Sequence, residues 1–214
     1  MCSLSIRLIA ASLAFLIGIA AATLWLTSRS HKQELRVSIP DHRWVHIWFE
    51  ATGLSTKSID ELSGEAGLAK LRTTLLPGDD LEVRFWVDAA EYGRALIIRR
   101  SAGRWSAIRL RGMQRNQNLQ KQEIHSAPHS GWEGAWEKLV NAGMLTLPDA
   151  AEVQCRVSGL DGIGYIVEVN IDKTYRTYMY DTPQYAKCDQ ARQVIRIAEI
   201  IEEEFGWDYS AGGQ

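Results

Sequence analysis

The stretch Ile163–Phe205 constrains the fold most, because it contains the two clearest periodicities in the 214-residue chain. Apolar side chains recur at every second position of IGYIVEVNI, residues 163–171, which predicts a β-strand. A turn at Asp172 and Lys173 follows, and TYRTYMY continues the extended pattern beyond it. These residues therefore predict a β-hairpin in the C-terminal part of the chain.

A long helix follows the predicted hairpin. From Lys187 onward the apolar period becomes helical, and Gly206 is typical of a helix end. The predicted apolar stripe comprises Ala191, Val194, Ile195, Ala198, Ile201 and Phe205. A helix that packs on an antiparallel sheet buries the apolar face of both elements, so we expect an α+β fold built around this unit.

Shorter patterns predict the remaining elements. The predicted strands are Trp44–Glu50, Leu81–Val87, Arg94–Arg100, Arg104–Arg111, Lys121–His125 and Glu152–Val157, and the predicted second helix runs from Ser130 to about Ala142. The fold class is therefore α+β, with antiparallel sheet structure and two helices in the C-terminal half.

Three local details follow from these patterns. Leu81–Val87 alternates between apolar side chains and the set Glu82, Arg84 and Trp86, which predicts a strand with one solvated face. The segment Ser101–Gly103 suits a three-residue hairpin loop with glycine in the left-handed conformation. Ser130 and Glu133 have the spacing of a capping box at the start of the second helix.

The N-terminus contains an uncharged, almost wholly apolar run of 19 residues, Leu8–Leu26. As a helix rising about 1.5 Å per residue, this run approaches the roughly 30 Å hydrocarbon core of a bilayer. The alternative is a cleaved signal peptide, with Arg7 before the apolar run and an A-x-A-like site at residues 20–22. We therefore expect a transmembrane anchor or signal segment with its tether in residues 1–34, and an extracytoplasmic domain in residues 35–214.

A series of short motifs in fixed order carries a resemblance to other proteins. The motifs are Gly131–Trp136 (GWEGAW), Gly143–Asp149 (GMLTLPD), Asp161–Glu168 (DGIGYIVE), Tyr175–Tyr178 (YRTY) and the helix end at Glu202–Gly206 (EEEFG). With this order, residues 81–206 resemble a group of uncharacterised bacterial envelope proteins. The resemblance implies an extracytoplasmic α+β domain behind a signal or anchor. It implies no activity, because none is established for that group.

Two of the three cysteines fall within the predicted domain. Export to an oxidising compartment would allow a disulfide between Cys155 and Cys188, which would tie the strand before the hairpin to the start of the final helix. The alternative is two independent buried thiols. Cys2 lies beside the N-terminal apolar run.

No pattern predicts catalysis, a metal or a cofactor. His42 and His46, like His125 and His129, are four residues apart, but the first pair lies in or beside a predicted strand and Pro128 disfavours a helix around the second. The sequence contains no glycine-rich phosphate loop, G-x-S-x-G elbow, H-E-x-x-H or C-x-x-C motif. We therefore predict no metal site and no cofactor.

Charge is strongly segregated along the chain, although the formal net charge is only -2. Residues 92–122 contain eight basic residues and no aspartate or glutamate. Arg109 and Arg111 share one side of a predicted strand, and pairing across the hairpin can bring Arg99 or Arg100 beside them. One reading is an anion-binding face, and the other is an exposed face neutralised within the fold, for example by the acids at the end of the final helix.

These expectations define the predicted function. The chain is predicted to be a membrane-anchored, non-catalytic interaction module of the cell envelope, held by residues 8–26 in the inner membrane or secreted to the periplasm after cleavage. Its expected partner is an anionic envelope component or an acidic protein bound through Arg99, Arg100, Arg109 and Arg111, and nucleic acid is not expected. The alternative class is an envelope hydrolase.

Overall fold

Seven β-strands and three α-helices lie in residues 34–40, 57–89, 92–112, 117–155 and 162–206, which the computed structural model describes. The strands are β1 (Arg36–Ser38), β2 (Leu81–Ala89), β3 (Tyr92–Ser101), β4 (Arg104–Arg111), β5 (Gln120–Ile124), β6 (Gly164–Ile171) and β7 (Thr174–Tyr180). The helices are α1 (Ile59–Glu65), α2 (Gly131–Asn141) and α3 (Asp189–Phe205). The chain is therefore α+β, with α2 and α3 in the C-terminal half as predicted and α1 in addition.

All seven strands belong to one sheet, in the order β1-β7-β6-β2-β3-β4-β5. β1 pairs with β7 in parallel, and every other neighbouring pair is antiparallel. Every described residue except Glu34 belongs to one unit that spans Leu35–Gln214. The described strands therefore form a mostly antiparallel sheet whose edges are β1 and β5.

Both faces of the sheet are covered. Helices α2 and α3 pack on one face, which contains Val83, Phe85 and Val87 from β2 and is called here the α2/α3 face. Helix α1 and the residues that follow it pack on the other, the α1 face, which contains Trp86. The prediction that one face of β2 is solvated is therefore wrong. Glu82, Arg84 and Trp86 are 5%, 1% and 1% exposed, because α1 and the following residues cover them.

The two predicted hairpins have tight turns. Asp172 and Lys173 connect β6 to β7 as predicted, and both have positive φ, 50° and 61°. The β3–β4 loop has two residues rather than the predicted three, since Ser101 pairs with Arg104. Ala102 and Gly103 form this turn with φ of 49° and 74°, a left-handed pair that matches the twist of the flanking strands.

Helix α3 begins and ends close to its predicted bounds. Cys188 precedes it, and its sulfur accepts a hydrogen bond from the backbone N–H of Ala191. Gly206 ends it with φ of 60°. The buried face is wider than the predicted stripe, because Ile197 and Ile200 are buried while Ile195 is only half-buried.

Two local predictions are wrong. Ser130 makes no side-chain capping bond at the start of α2, and its hydroxyl instead donates to Glu204 of α3. Residues 151–154 form turns, where a strand from residue 152 was predicted. In these turns the backbone N–H of Glu152 donates to the carbonyl oxygen of Asp149 and that of Cys155 donates to the carbonyl oxygen of Ala150, so neither N–H is available to a neighbouring strand.

Some predictions fall outside the described residues. These are the apolar run 8–26, the strand 44–50 and the histidine pair at 42 and 46. Within the described segments, no helix has the length and apolar character needed to cross a membrane.

Candidate anion-binding site

The predicted arginines divide between the two faces of the sheet. Alternation along β4 puts Arg109 and Arg111 on the α2/α3 face, together with Ala107, which is buried in that core. Arg100 lies opposite Trp105 and shares the same face. Arg99 points to the α1 face, so the four residues do not form one cluster.

Arg99 is neutralised within the fold. Its Nε donates to Oε2 of Glu82 over 2.5 Å, while Oε1 of the same carboxylate accepts from Nε of Arg84 over 2.6 Å. Glu82 lies directly opposite Arg99 in the β2–β3 register. For Arg99, the hypothesis of neutralisation within the fold therefore holds, because Glu82 pairs with its charge.

Arg100 lies at the hairpin end of the sheet, away from Arg109 and Arg111. Its guanidinium carbon is 5.4 Å from the ring centre of Trp105, and Nη2 donates to the carbonyl oxygen of Asp79 over 3.2 Å. Trp105 also donates its indole N–H to Glu133, which is the acid that sequence reasoning placed in a capping box. Arg100 therefore supports an aromatic contact between the sheet and α2.

Arg109 and Arg111 are joined by a third arginine that the predicted set omitted. The β3–β4 register places Arg94 directly opposite Arg111. Arg94 is 6% exposed, Arg109 is half-buried and Arg111 is exposed. Burial, followed by the positive charges of Arg111 and Arg94, lowers the pKa of Arg109. Three guanidinium groups therefore converge at the end of the sheet away from the β3–β4 turn.

Part of the Arg109 guanidinium is used by the fold. Nη2 donates to the backbone carbonyl oxygen of Phe205 over 2.7 Å, at the negative end of the α3 dipole. Nε is buried and has no hydrogen-bond partner within the described segments. A buried N–H donor without an acceptor is costly, so this atom is a candidate contact for a ligand.

A surface cleft of about 450 Å³ adjoins these arginines and is lined by Arg109, Arg111, Gln120, Lys121 and Gln122. Gln120 lies opposite Arg111 and Gln122 lies opposite Arg109 in the β4–β5 register, so the two amides share the arginine face. The ammonium group of Lys121 donates to the carbonyl oxygen of Ala66 on the α1 face. We call Arg94, Arg109, Arg111, Gln120 and Gln122 the basic cleft.

The acids at the end of α3 have other partners. The Glu204 carboxylate accepts from the backbone N–H and the hydroxyl of Ser130, both over 2.8 Å, and from the ammonium group of Lys138. Burial opposes ionisation of Glu204, but the bonds from Lys138 and Ser130 hold its pKa below the ordinary value. Glu203 pairs with Arg196 over 3.2 Å. These two acids are therefore bound to partners other than Arg109 and Arg111.

Comparison of the chain with protein-family models, with curated proteins and with solved structures finds no match.

A second polar cluster lies on the α1 face and was missed by sequence reasoning. The Glu168 carboxylate accepts from the indole N–H of Trp86 over 2.8 Å and from the hydroxyl of Tyr175 over 3.0 Å. Arg84, opposite Glu168 in the register, donates to Ser63 and to the carbonyl oxygen of Ala69. Burial raises the pKa of Glu168, while Arg84 opposes that rise.

This buried cluster supports the packing of α1 rather than a hydrolytic site. Arg84 and Glu168 are each 1% exposed, and Arg84 bonds directly to the residues that cover the face. Asn170 donates to the carbonyl oxygens of Leu71 and Thr74 in the same covering segment. Arg84 and Asn170 therefore attach α1 and the segment that follows it to the sheet.

The two cysteines come together as a disulfide between the turn after Asp149 and the start of α3. Their Cα atoms are 5.9 Å apart, which is an ordinary disulfide spacing. The pair joins residues 33 positions apart. Oxidation of the two thiols in the cell stays a prediction.

No group of three or more histidine, cysteine or acidic side chains suited to a metal ion occurs in the described part of the chain. His125 and His129 are both exposed.

Proposed function

We propose that this chain is a non-catalytic interaction module that binds an anionic partner through the basic cleft, and that residues 8–26 hold it at a membrane of the cell envelope. The single observation that carries the proposal is the environment of Arg109. Its buried Nε has no acceptor within the described segments, and its neighbours Arg94 and Arg111 carry the same charge.

Electrostatics favours an external anion here. Arg109 and Arg111 lie two residues apart on one face of β4, and the positive charge of Arg111 disfavours the charged form of Arg109. The hydrogen bond from Nη2 of Arg109 to the end of α3 offsets part of the cost of burying its charge. This bond leaves Nε without an acceptor in the described segments. An anion in the cleft would satisfy that donor and screen the repulsion between the guanidinium groups.

Neutral hydrogen-bond donors complete the proposed site. Gln120 and Gln122 are exposed, flank the two arginines of β4, and can donate to a carboxylate or phosphate oxygen without adding charge. A cleft with guanidinium and amide donors is suited to binding rather than to proton transfer, because neither group changes its protonation state near neutral pH.

Ligand-induced stabilisation tests this proposal. Full-length protein in neutral detergent is heated with increasing inorganic tripolyphosphate, and the unfolding midpoint is followed. A ligand that binds only the folded state stabilises it by RT ln(1 + [L]/Kd), so we expect the midpoint to rise with concentration. Arg111→Gln is the informative variant, because Arg111 is exposed and its loss leaves the Arg109–Phe205 contact in place.

Arg104→Gln is the matched control. Arg104 is an exposed arginine on the same strand, at the end away from the cleft, so the change in net charge is the same. We expect the midpoint of this variant to rise as in the wild type, and the rise to be reduced or absent in Arg111→Gln. Equal rises in all three proteins would contradict the proposed cleft.

A further inference from the structure

We propose that the anionic partner is an extended acidic peptide segment that adds to the open edge of β5 as a further strand. This inference rests on the proposed function, because it uses the same arginines as the charged half of the contact. It adds a backbone contact and a sequence pattern that an anion-binding cleft alone does not require.

β5 is an edge strand of the sheet that the described residues form. It is last in the sheet order and pairs only with β4 among the described strands. Its residues Gln120, Lys121, Gln122 and Glu123 are all exposed, and the strand contains no proline. An exposed edge presents unpaired backbone N–H and C=O groups, which is the surface used in strand addition. The opposite edge, β1, has only three residues.

In the strand register, the residues of the basic cleft extend across the sheet to this edge. Arg94, Arg111 and Gln120 form one row across β3, β4 and β5, and Arg109 and Gln122 lie in the next row. Strands lie about 4.8 Å apart, so a residue added beside Gln120 would lie roughly 10 Å from Arg111 at the backbone. An arginine and a glutamate side chain reaching toward each other span this separation, with the glutamine amide between them.

The spacing of the arginines along β4 defines where acidic residues should occur in the sequence of the partner peptide. Side chains on one face of a strand repeat every second residue, about 6.8 Å apart, and Arg109 and Arg111 have this spacing. Acidic residues at alternate positions of an added strand would therefore face the two arginine rows. The intervening residues would face the side of Lys121 and Glu123, whose opposite charges give an acid no net attraction there.

A peptide fits these observations better than a lipid headgroup or a free phosphate. Strand addition gives main-chain hydrogen bonds to β5 while the alternate side chains provide specificity. A headgroup or a small phosphate would use the arginines and leave the edge unpaired.

Binding of short synthetic peptides to the full-length protein tests this inference. The first peptide alternates threonine and glutamate, with both ends blocked. The second has the same composition with its glutamates in one block. We expect the alternating peptide to bind at least roughly tenfold more tightly, to lose about tenfold with Arg111→Gln, and to be unaffected by Arg104→Gln. Equal binding of the two peptides, or no binding of the alternating one, would overturn the inference.

N-methylated versions of the alternating peptide test the backbone contact without altering the protein. One version carries methyl groups on the glutamate amides and the other on the threonine amides. In a strand, successive N–H groups point to opposite sides, so only one set can face β5. We expect one version to bind at least roughly tenfold more weakly than the other. Equal binding of both would exclude strand pairing.

Tripolyphosphate separates the two proposals. If it binds in an Arg111-dependent manner while the peptide results are negative, the anion-binding cleft stands and the strand-addition inference fails. If neither probe depends on Arg111, both fail.

Discussion

The guanidinium group of Arg109 donates a hydrogen bond to the backbone carbonyl oxygen of Phe205 over 2.7 Å, and so joins β4 to the end of α3. This contact shows that one of the predicted binding arginines also has a structural role. Arg109 serves the fold through Nη2, while its Nε and the exposed Arg111 remain for a ligand. A change at Arg109 would alter both roles, so Arg111 is the residue that separates them.

Glu204→Gln is expected to lower the free energy of unfolding by about 1–3 kcal/mol, because it weakens charge-assisted bonds between the end of α3 and the start of α2. Glu203→Gln is the matched control, with an expected change within about 0.5 kcal/mol, since that side chain is exposed. Urea unfolding measures both. A larger loss for Glu203→Gln than for Glu204→Gln would contradict this role.

The contribution of Glu204 should depend on pH. Its pKa is lower in the folded state than its ordinary value of 4.5. The contribution is therefore complete above pH 4.5 and is lost as the pH falls through the folded-state pKa. We expect the stability difference between wild type and Glu204→Gln to shrink as the solution is acidified below pH 4.5. A difference that grows on acidification would contradict the assignment.

Arg84→Met is expected to destabilise the protein by roughly 3–5 kcal/mol, since it leaves the buried carboxylates of Glu82 and Glu168 without Arg84 and removes its bonds to the segment after α1. The control is Arg104→Met, an exposed position on the same sheet, with an expected change within about 0.5 kcal/mol. Denaturant unfolding compares the two. Similar small losses of unfolding free energy in Arg84→Met and Arg104→Met would show that the buried cluster does not attach α1 to the sheet.

Reduction of the Cys155–Cys188 pair is expected to lower the free energy of unfolding by about 2–4 kcal/mol, because the crosslink restricts the unfolded chain. Unfolding with and without reductant measures this effect, and a Cys155→Ala/Cys188→Ala variant should be insensitive to reductant. Peptide mapping without reduction should recover the two cysteines in one linked fragment. Two free thiols in protein exported to an oxidising compartment would rule the bond out there.

The apolar run 8–26 predicts that the full chain fractionates with membranes and remains there after carbonate extraction. Mass spectrometry of the recovered protein should find the N-terminus intact. A soluble form that begins near Thr23 would show that the run is a cleaved signal.

Local sequence patterns predict β6, β7 and α3 because each of these elements carries its own signal. The alternation in residues 163–171, the turn at Asp172 and Lys173, and Gly206 at the helix end all act over a few residues. Helix α1 also had such a signal, since Ser58 and Glu61 form a capping box at its start.

Long-range packing explains what the sequence did not predict. Glu82 and Arg84 alternate with apolar residues as on a solvated face, and only the covering residues near α1 bury them. Likewise, alternation placed Arg109 and Arg111 together, but the choice between Arg99 and Arg100 depended on the exact length of the β3–β4 loop. Residues at equal distances from the turn pair in a hairpin, so Arg99 and Arg100 pair with Ser106 and Trp105 near the turn and not with Arg111. The two-residue turn places Arg94 opposite Arg111, where the predicted three-residue loop would have placed Gly93.

The most direct test of the basic cleft is the salt dependence of tripolyphosphate affinity for the wild type, Arg111→Gln and Arg104→Gln, measured by calorimetry on full-length protein. At about 0.02 M salt we expect Arg111→Gln to bind roughly tenfold more weakly than the wild type and Arg104→Gln to bind equally well. Near 0.15 M salt the difference should narrow, because screening weakens exposed charges. Equal affinity of the wild type and Arg111→Gln at low salt would contradict the account.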